Sequence, residues 1–157
     1  MTVLLAAGFL IEQEQAHEWV RRHGFEPESE QAYPLIELHD VANSMGLKNE
    51  VCVFGLPHEF KDYGKPTYLV SVQWRKVTAP ERKPEYGDRN VYRMFNRTSD
   101  RVISLREALE NEGLRDLPYM HVLDPDGYHS TEIREIPKPS EAVASTGASD
   151  RNTQTNA

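Results

Sequence analysis

From Tyr68 to Arg75 the chain alternates between apolar and mixed positions. Tyr68, Val70, Val72 and Trp74 interleave with Leu69, Ser71, Gln73 and Arg75. This is the period-two signature of a strand with one face buried. Three large apolar groups and Trp74 on a single face predict a strand central to the core. The elements around it decide the class of fold.

Upstream, Leu5, Phe9, Ala16, Trp19 and Val20 fall near one helical stripe, which predicts a helix from about Phe9 to His23. Gly24 follows the basic turn Arg21-Arg22-His23 as its stop. Ala6-Ala7-Gly8 leaves room for a short strand before that helix. A second helix is signposted at both ends, by Pro34 at its start and Gly46 just past its end. Leu35, Leu38, Val41, Ala42 and Met45 recur between them at spacings of three and four. Val51 to Leu56 is β-branched and aromatic and reads as a strand, and Pro57 to Pro66 reads as a loop.

Downstream, Val77 to Asn90 is rich in proline and charge and is expected to be an exposed excursion. Val91 to Asn96 reads as a further strand. Ser104 and Glu107 form a capping box for a helix over Leu105 to Glu112, closed by Gly113. Tyr119 to Leu123, the turn Asp124-Pro125-Asp126-Gly127 and Tyr128 to Ile133 then predict a β-hairpin. Ser140 to Ala157 contains one large aliphatic residue and no aromatic, too little apolar surface to offset the entropy of ordering it.

Helices and strands are therefore partly segregated. The expected class is α+β: one mostly antiparallel sheet of about four to five strands with two to three helices packed on one face. Residues 1–138 are read as a single globular domain and 139–157 as a disordered tail.

Hydrophobic content of 38% and charged content of 27% in 157 residues suit an ordinary globular protein. The apolar run from Thr2 to Ile11 has no basic residue before it and no small-x-small site after it. It is also far short of the roughly 20 residues a membrane span needs. It is read as the buried start of the domain, with no membrane association. The single cysteine, Cys52, lies among apolar neighbours and reads as a buried thiol, not a nucleophile. With no disulfide to suggest an oxidising compartment, the cytoplasm is the expected location. Asn96-Arg97-Thr98 matches a glycosylation acceptor, a match without meaning for a protein that is not secreted.

Three signals bear on function. The first is an asymmetry of charge. Between Arg75 and Arg101 there are eight basic and four acidic residues, a net charge of +4 in a chain whose total is -7. Trp74, Tyr86, Tyr92 and Phe95 lie in or beside this band. Arg75, Arg89, Tyr92, Arg93, Arg97 and Arg101 are the candidate binding residues, since arginine and tyrosine are favoured in interface hot spots. An acidic protein partner or another anionic ligand fits them. Phosphate neutralisation and base stacking are the nucleic-acid version, disfavoured by an acidic chain. The bland alternative is a solvated loop whose arginines pair with carboxylates elsewhere.

The second signal is Asp40-Val41-Ala42-Asn43-Ser44-Met45-Gly46-Leu47, which resembles the first helix and turn of a helix-turn-helix. The residues after it depart from the motif. A recognition helix would follow Lys48, whereas Val51 to Leu56 is strand-like and ends in Pro57.

The third signal is a group of histidines. In the expected hairpin Leu123 faces His129 and His121 faces Thr131, which makes His121 and His129 diagonal neighbours on one face. With His58 from the loop after the first strand, they are the candidates for acid-base chemistry in a small enzyme. No third ligand or metal-binding spacing accompanies them, so neither a metal nor a cofactor is expected. His17, His23 and His39 read as helix-surface residues. No phosphate-binding loop, dinucleotide fingerprint or nucleophile elbow is present. The reading the sequence favours is a non-catalytic binding module.

Overall fold

The apolar N-terminal run is a strand along its whole length, not the start of a helix. The structure is a computed structural model, and it describes residues 2–78, 95, 98–124 and 133–136. In it β1 spans Thr2–Glu12. Every residue from Leu4 to Ile11 lies inside the protein, with Leu5, Ala6 and Ile11 at 0% exposure and Ala7 at 1%. A strand buried on both faces reads as a continuous apolar run and hides its period, which is why Phe9 to Ile11 mimic a helical stripe.

Among the described residues β1 is the middle of a five-stranded sheet in the order β2-β3-β1-β4-β5, with β2 Cys52–Leu56, β3 Thr67–Thr78, β4 Tyr119–Asp124 and β5 Arg134–Ile136. Every neighbouring pair is antiparallel. Among the described residues three α-helices complete the fold: α1 Gln13–Arg22, α2 Leu35–Asn43 and α3 Asp100–Asn111. Phe9, Ile11, Val53, Tyr68 and Val70 from the sheet meet Trp19, Val20, Leu38, Val41, Leu105 and Leu109 from these helices in one core. The helices thus share one face, and the class is α+β.

β3 is long but does not keep its period. Ala7 pairs with Gln73 and Phe9 with Val70, so Ser71 and Val72 together oppose Gly8. This bulge reverses the faces beyond it. Trp74 therefore packs with Leu69 and Phe54 on the sheet's other face, 6.2 Å from the Phe54 ring, and not beside Tyr68 and Val70 as the alternation predicts. The Ser71 hydroxyl stitches the bulge, lying 2.6 Å from the Ala7 carbonyl oxygen and accepting from the Gln73 N–H at 3.0 Å. On that second face Leu4, Leu10, Phe54, Leu56, Met120 and Val122 gather around Phe60 from a short 3-10 turn, Phe60–Asp62.

α2 matches its sequence signals closely, ending before Gly46 at a φ of +75°. Its polar side chains shield the outer edge of β2. The Asn43 amide donates to the Val51 carbonyl and accepts from the Val51 N–H, both at 3.1 Å, and the Val53 N–H approaches His39 Nε2 at 3.4 Å. An edge strand occupied in this way is a poor template for a further strand. Because β2 follows, no recognition helix succeeds α2 and the helix-turn-helix likeness ends at Leu47.

α3 begins one turn earlier than its capping box suggests. Ser99 is the cap, its hydroxyl accepting from the Val102 N–H at 3.4 Å. The earlier start lets Val102 join Leu105 and Leu109 in the buried stripe. Gly113 closes the helix at a φ of +85°, as expected.

The hairpin register also differs from expectation. Leu123 pairs with Arg134, Val122 with Glu135 and His121 with Ile136, not with His129 and Thr131 as partners. The reason is apolar: Ile136, 1% exposed, completes a cluster with Leu5, Leu123 and Phe95 that threonine would not fill. The turn at 125–127, His129, the strand read at 91–96 (Phe95 apart) and the tail at 139–157 lie outside the described residues.

Candidate functional site

The sheet has two chemically distinct ends. At one, Leu5 pairs with Arg75 and Thr2 with Thr78; at the other, Glu12 pairs with Thr67 just before α1 begins. Of the candidate binding residues, Arg75 and Arg101 belong to the first end, and His58 belongs to the second.

At the first end β3 is tied directly to the start of α3. The Gln73 amide donates to the Ser99 hydroxyl at 3.0 Å, and the Tyr119 hydroxyl donates to Gln73 Oε1 at 3.2 Å. The end of β3, the start of α3 and β4 are therefore tied together by these side chains. Arg75 and Lys76 are exposed near the end of β3, and Arg101 is exposed in the first turn of α3. Phe95 is anchored in the sheet at 5% exposure, packed with Leu5, Ala7, Leu123 and Ile136. Arg89, Tyr92, Arg93 and Arg97, the remaining members of the basic band, lie outside the described residues.

His121 belongs to this end but is a buried residue, 3% exposed. Its Nε2 lies 3.1 Å from the Phe95 carbonyl oxygen, which can only accept, so this nitrogen carries the proton. The Tyr119 ring stands edge-on at 5.6 Å, and the Phe95 ring lies tilted at 6.2 Å. This environment fixes the imidazole in the packing between the sheet and Phe95.

His58 is remote from it. It follows Leu56, which pairs with Thr67, whereas His121 aligns through Ala7 with Gln73. Strands β2 and β4 are three spacings apart, roughly 14 Å at about 4.8 Å each, before the offset along the strands is added. The fold does not bring His58 and His121 together.

Instead, His58 lines a half-open cleft of about 810 Å³ at the α1 end of the sheet. Three segments form it: Gln13, Glu14, His17 and Arg21 from α1; Glu30, Gln31 and Tyr33 from the connection to α2; and His58 and Gly64 to Pro66 from the loop before β3. Its framework is a set of buried polar groups. The Tyr68 hydroxyl donates to Gln13 Oε1 at 2.7 Å, and the Gln13 amide donates to the Ala32 carbonyl at 2.9 Å. His17 Nε2 also reaches that carbonyl at 2.9 Å. Positions 13 and 17 are one helical turn apart, so both side chains reach the same strap of backbone. Burial pushes the Tyr68 phenol well above its ordinary range, with a smaller push from Tyr33, so it serves as a neutral donor.

The strap positions Tyr33 against His58. Its hydroxyl contacts His58 Nε2, and the rings meet edge-on at 6.0 Å. Across the cleft Lys65 pairs with Glu14. The hydrogen bond from Lys65 holds the Glu14 carboxyl below its ordinary value, and the same contact raises the Lys65 ammonium. Sequence reasoning singles out His58 alone. His17 reads as a surface residue but is 4% exposed, and only the fold reveals that residues 13–21, 30–33 and 58–66 share one cleft.

Cys52 is half-buried, and burial, aided by the nearby Glu50 charge, pushes its thiol up to about 11. That is the reverse of an activated nucleophile. Among the described residues no group of three or more histidine, cysteine, aspartate or glutamate side chains is placed to hold a metal ion, and no helix is long and apolar enough to cross a membrane. Comparison with protein-family models, curated protein sequences and solved structures finds no significant match to this chain.

Proposed function

We propose that the protein is a binding module that engages an acidic protein partner through the basic end of its sheet. The observation that carries this reading is the clamp of Tyr119, Gln73 and Ser99. It ties the end of β3 to the start of α3, between exposed Arg75 and Lys76 on one side and exposed Arg101 on the other. A basic segment with both ends fastened to a rigid sheet loses less freedom on binding than an untethered one. Arginine suits the task, because its planar guanidinium forms two parallel hydrogen bonds to a carboxylate.

The experiment is a titration of the protein with end-labelled poly-glutamate, followed by anisotropy at low salt. Binding should weaken about tenfold or more in the double variant Arg75→Glu, Arg101→Glu, which removes about 1.4 kcal/mol or more. Duplex DNA in the same assay supplies the competing reading. DNA bound more tightly than poly-glutamate, with a steep salt dependence, would make nucleic acid the partner.

A further inference from the structure

We propose that the cleft between α1, the Glu30–Tyr33 strap and the loop before β3 binds a small zwitterion, a molecule carrying an ammonium and a carboxylate a few ångströms apart. Its volume of about 810 Å³ falls within the range of small-molecule sites. Its charges are balanced: Glu14 and Glu30 stand with Arg21 and Lys65 around one opening. A simple anion entering it meets two carboxylates and a simple cation meets two cations. A ligand bearing both charges finds a complement for each.

The cations can be recruited. Lys65 is held by Glu14 and Arg21 by Glu26, and all four side chains are between 46% and 79% exposed. Ion pairs this exposed hold weakly and exchange readily with an incoming group.

His17 fixes one wall of the cleft. The Ala32 carbonyl can only accept, so His17 Nε2 donates to it and the ring is anchored to the strap. The residue is only 4% exposed. His17 is one of the residues that line the cleft. The Glu14 and Glu30 carboxylates at the opening are suited to an ammonium. The carboxylate of the same ligand then faces Lys65 and Arg21.

The full-length protein is titrated with the common L-amino acids, with a dialanine peptide, and with acetate and methylammonium as single-charge controls. Amide and imidazole nitrogen resonances are followed by NMR. At least one zwitterion should shift the Lys65 amide and His17 imidazole resonances saturably with a Kd below about 1 mM, and the controls at equal concentration should not. Amino acid against dipeptide separates a free metabolite from a peptide terminus as the source. Lys65→Met with Arg21→Met, both exposed positions, should weaken that binding about tenfold or more, whereas Glu37→Gln on α2 should leave it unchanged. No saturable shift from any zwitterion, equal shifts from acetate alone, or an unaffected double variant would each overturn the proposal. The cleft lies at the opposite end of the sheet from Arg75 and Arg101, so this outcome is independent of the acidic-partner reading.

Discussion

A Cβ built on Gly8 would lie 2.3 Å from the Val70 carbonyl oxygen and 2.9 Å from its carbonyl carbon. The obstacle is backbone, so no side-chain rotation relieves it. Gly8 is what lets β3 swing close to β1 at the bulge. Gly8→Ala should destabilise the protein by about 3 kcal/mol, the upper range for forced overpacking. The urea midpoint checks this. Ser71→Ala, which removes the hydroxyl that stitches the bulge, should cost about 1 kcal/mol.

Gln13 and Tyr68 form a buried pair whose members depend on each other. Gln13→Leu leaves the Tyr68 hydroxyl without its acceptor and should cost about 2 kcal/mol. Adding Tyr68→Phe removes the orphaned group and should recover part of that loss. A double-mutant cycle by chemical denaturation measures the coupling.

Glu112 joins the ends of α1 and α3. Its carboxylate accepts from Trp19 Nε1 at 3.2 Å and meets His23 Nε2 at 2.7 Å, while its carbonyl accepts from Arg22 at 2.5 Å. Burial raises the carboxyl, but the hydrogen bonds from His23 and Trp19 and the charges of His23 and Arg22 outweigh it and hold it below its ordinary 4.5. A carboxyl whose folded value is depressed contributes stability above its unfolded value and loses it as pH falls through the folded one. The stability from Glu112 should therefore be intact near neutrality and fade below about pH 4.5. Urea midpoints measured across that range should fall less steeply for Glu112→Gln than for the wild type.

The Cys52 thiol, pushed from 9.0 up to about 11, should react with a disulfide reagent about a hundredfold more slowly at pH 8 than a thiol of ordinary value, because its thiolate fraction is lower by that factor. The rate should climb with pH until the fold is lost. A fast reaction at neutral pH would contradict the burial described for β2.

The parts of the fold legible in the sequence are those whose signals are local. Pro34 and Gly46 bracket α2 because helix starts and stops depend on nearby backbone, and Gly113 marks the end of α3 for the same reason. The bulge in β3 is illegible because its cause, Gly8, sits in another strand. Phe9 to Ile11 mimic a helix because a strand buried on both faces loses its alternation. Ser104 stands out over Ser99 as the expected cap because Glu107 completes a capping box, whereas burial of Val102 decides the true start. The cleft is legible only as His58. Its other walls come from α1 and the strap at residues 30–33, and His17 has no sequence signal that separates it from a surface histidine.

In the proposed function the basic end of the sheet receives an acidic partner. The direct measurement is the affinity for poly-glutamate of the wild type against Arg75→Glu, Arg101→Glu, with folding of both verified by circular dichroism. The wild type should bind saturably, and the variant should bind about tenfold or more weakly. Equal affinity in the two folded proteins, or no binding by the wild type at low salt, would contradict that function.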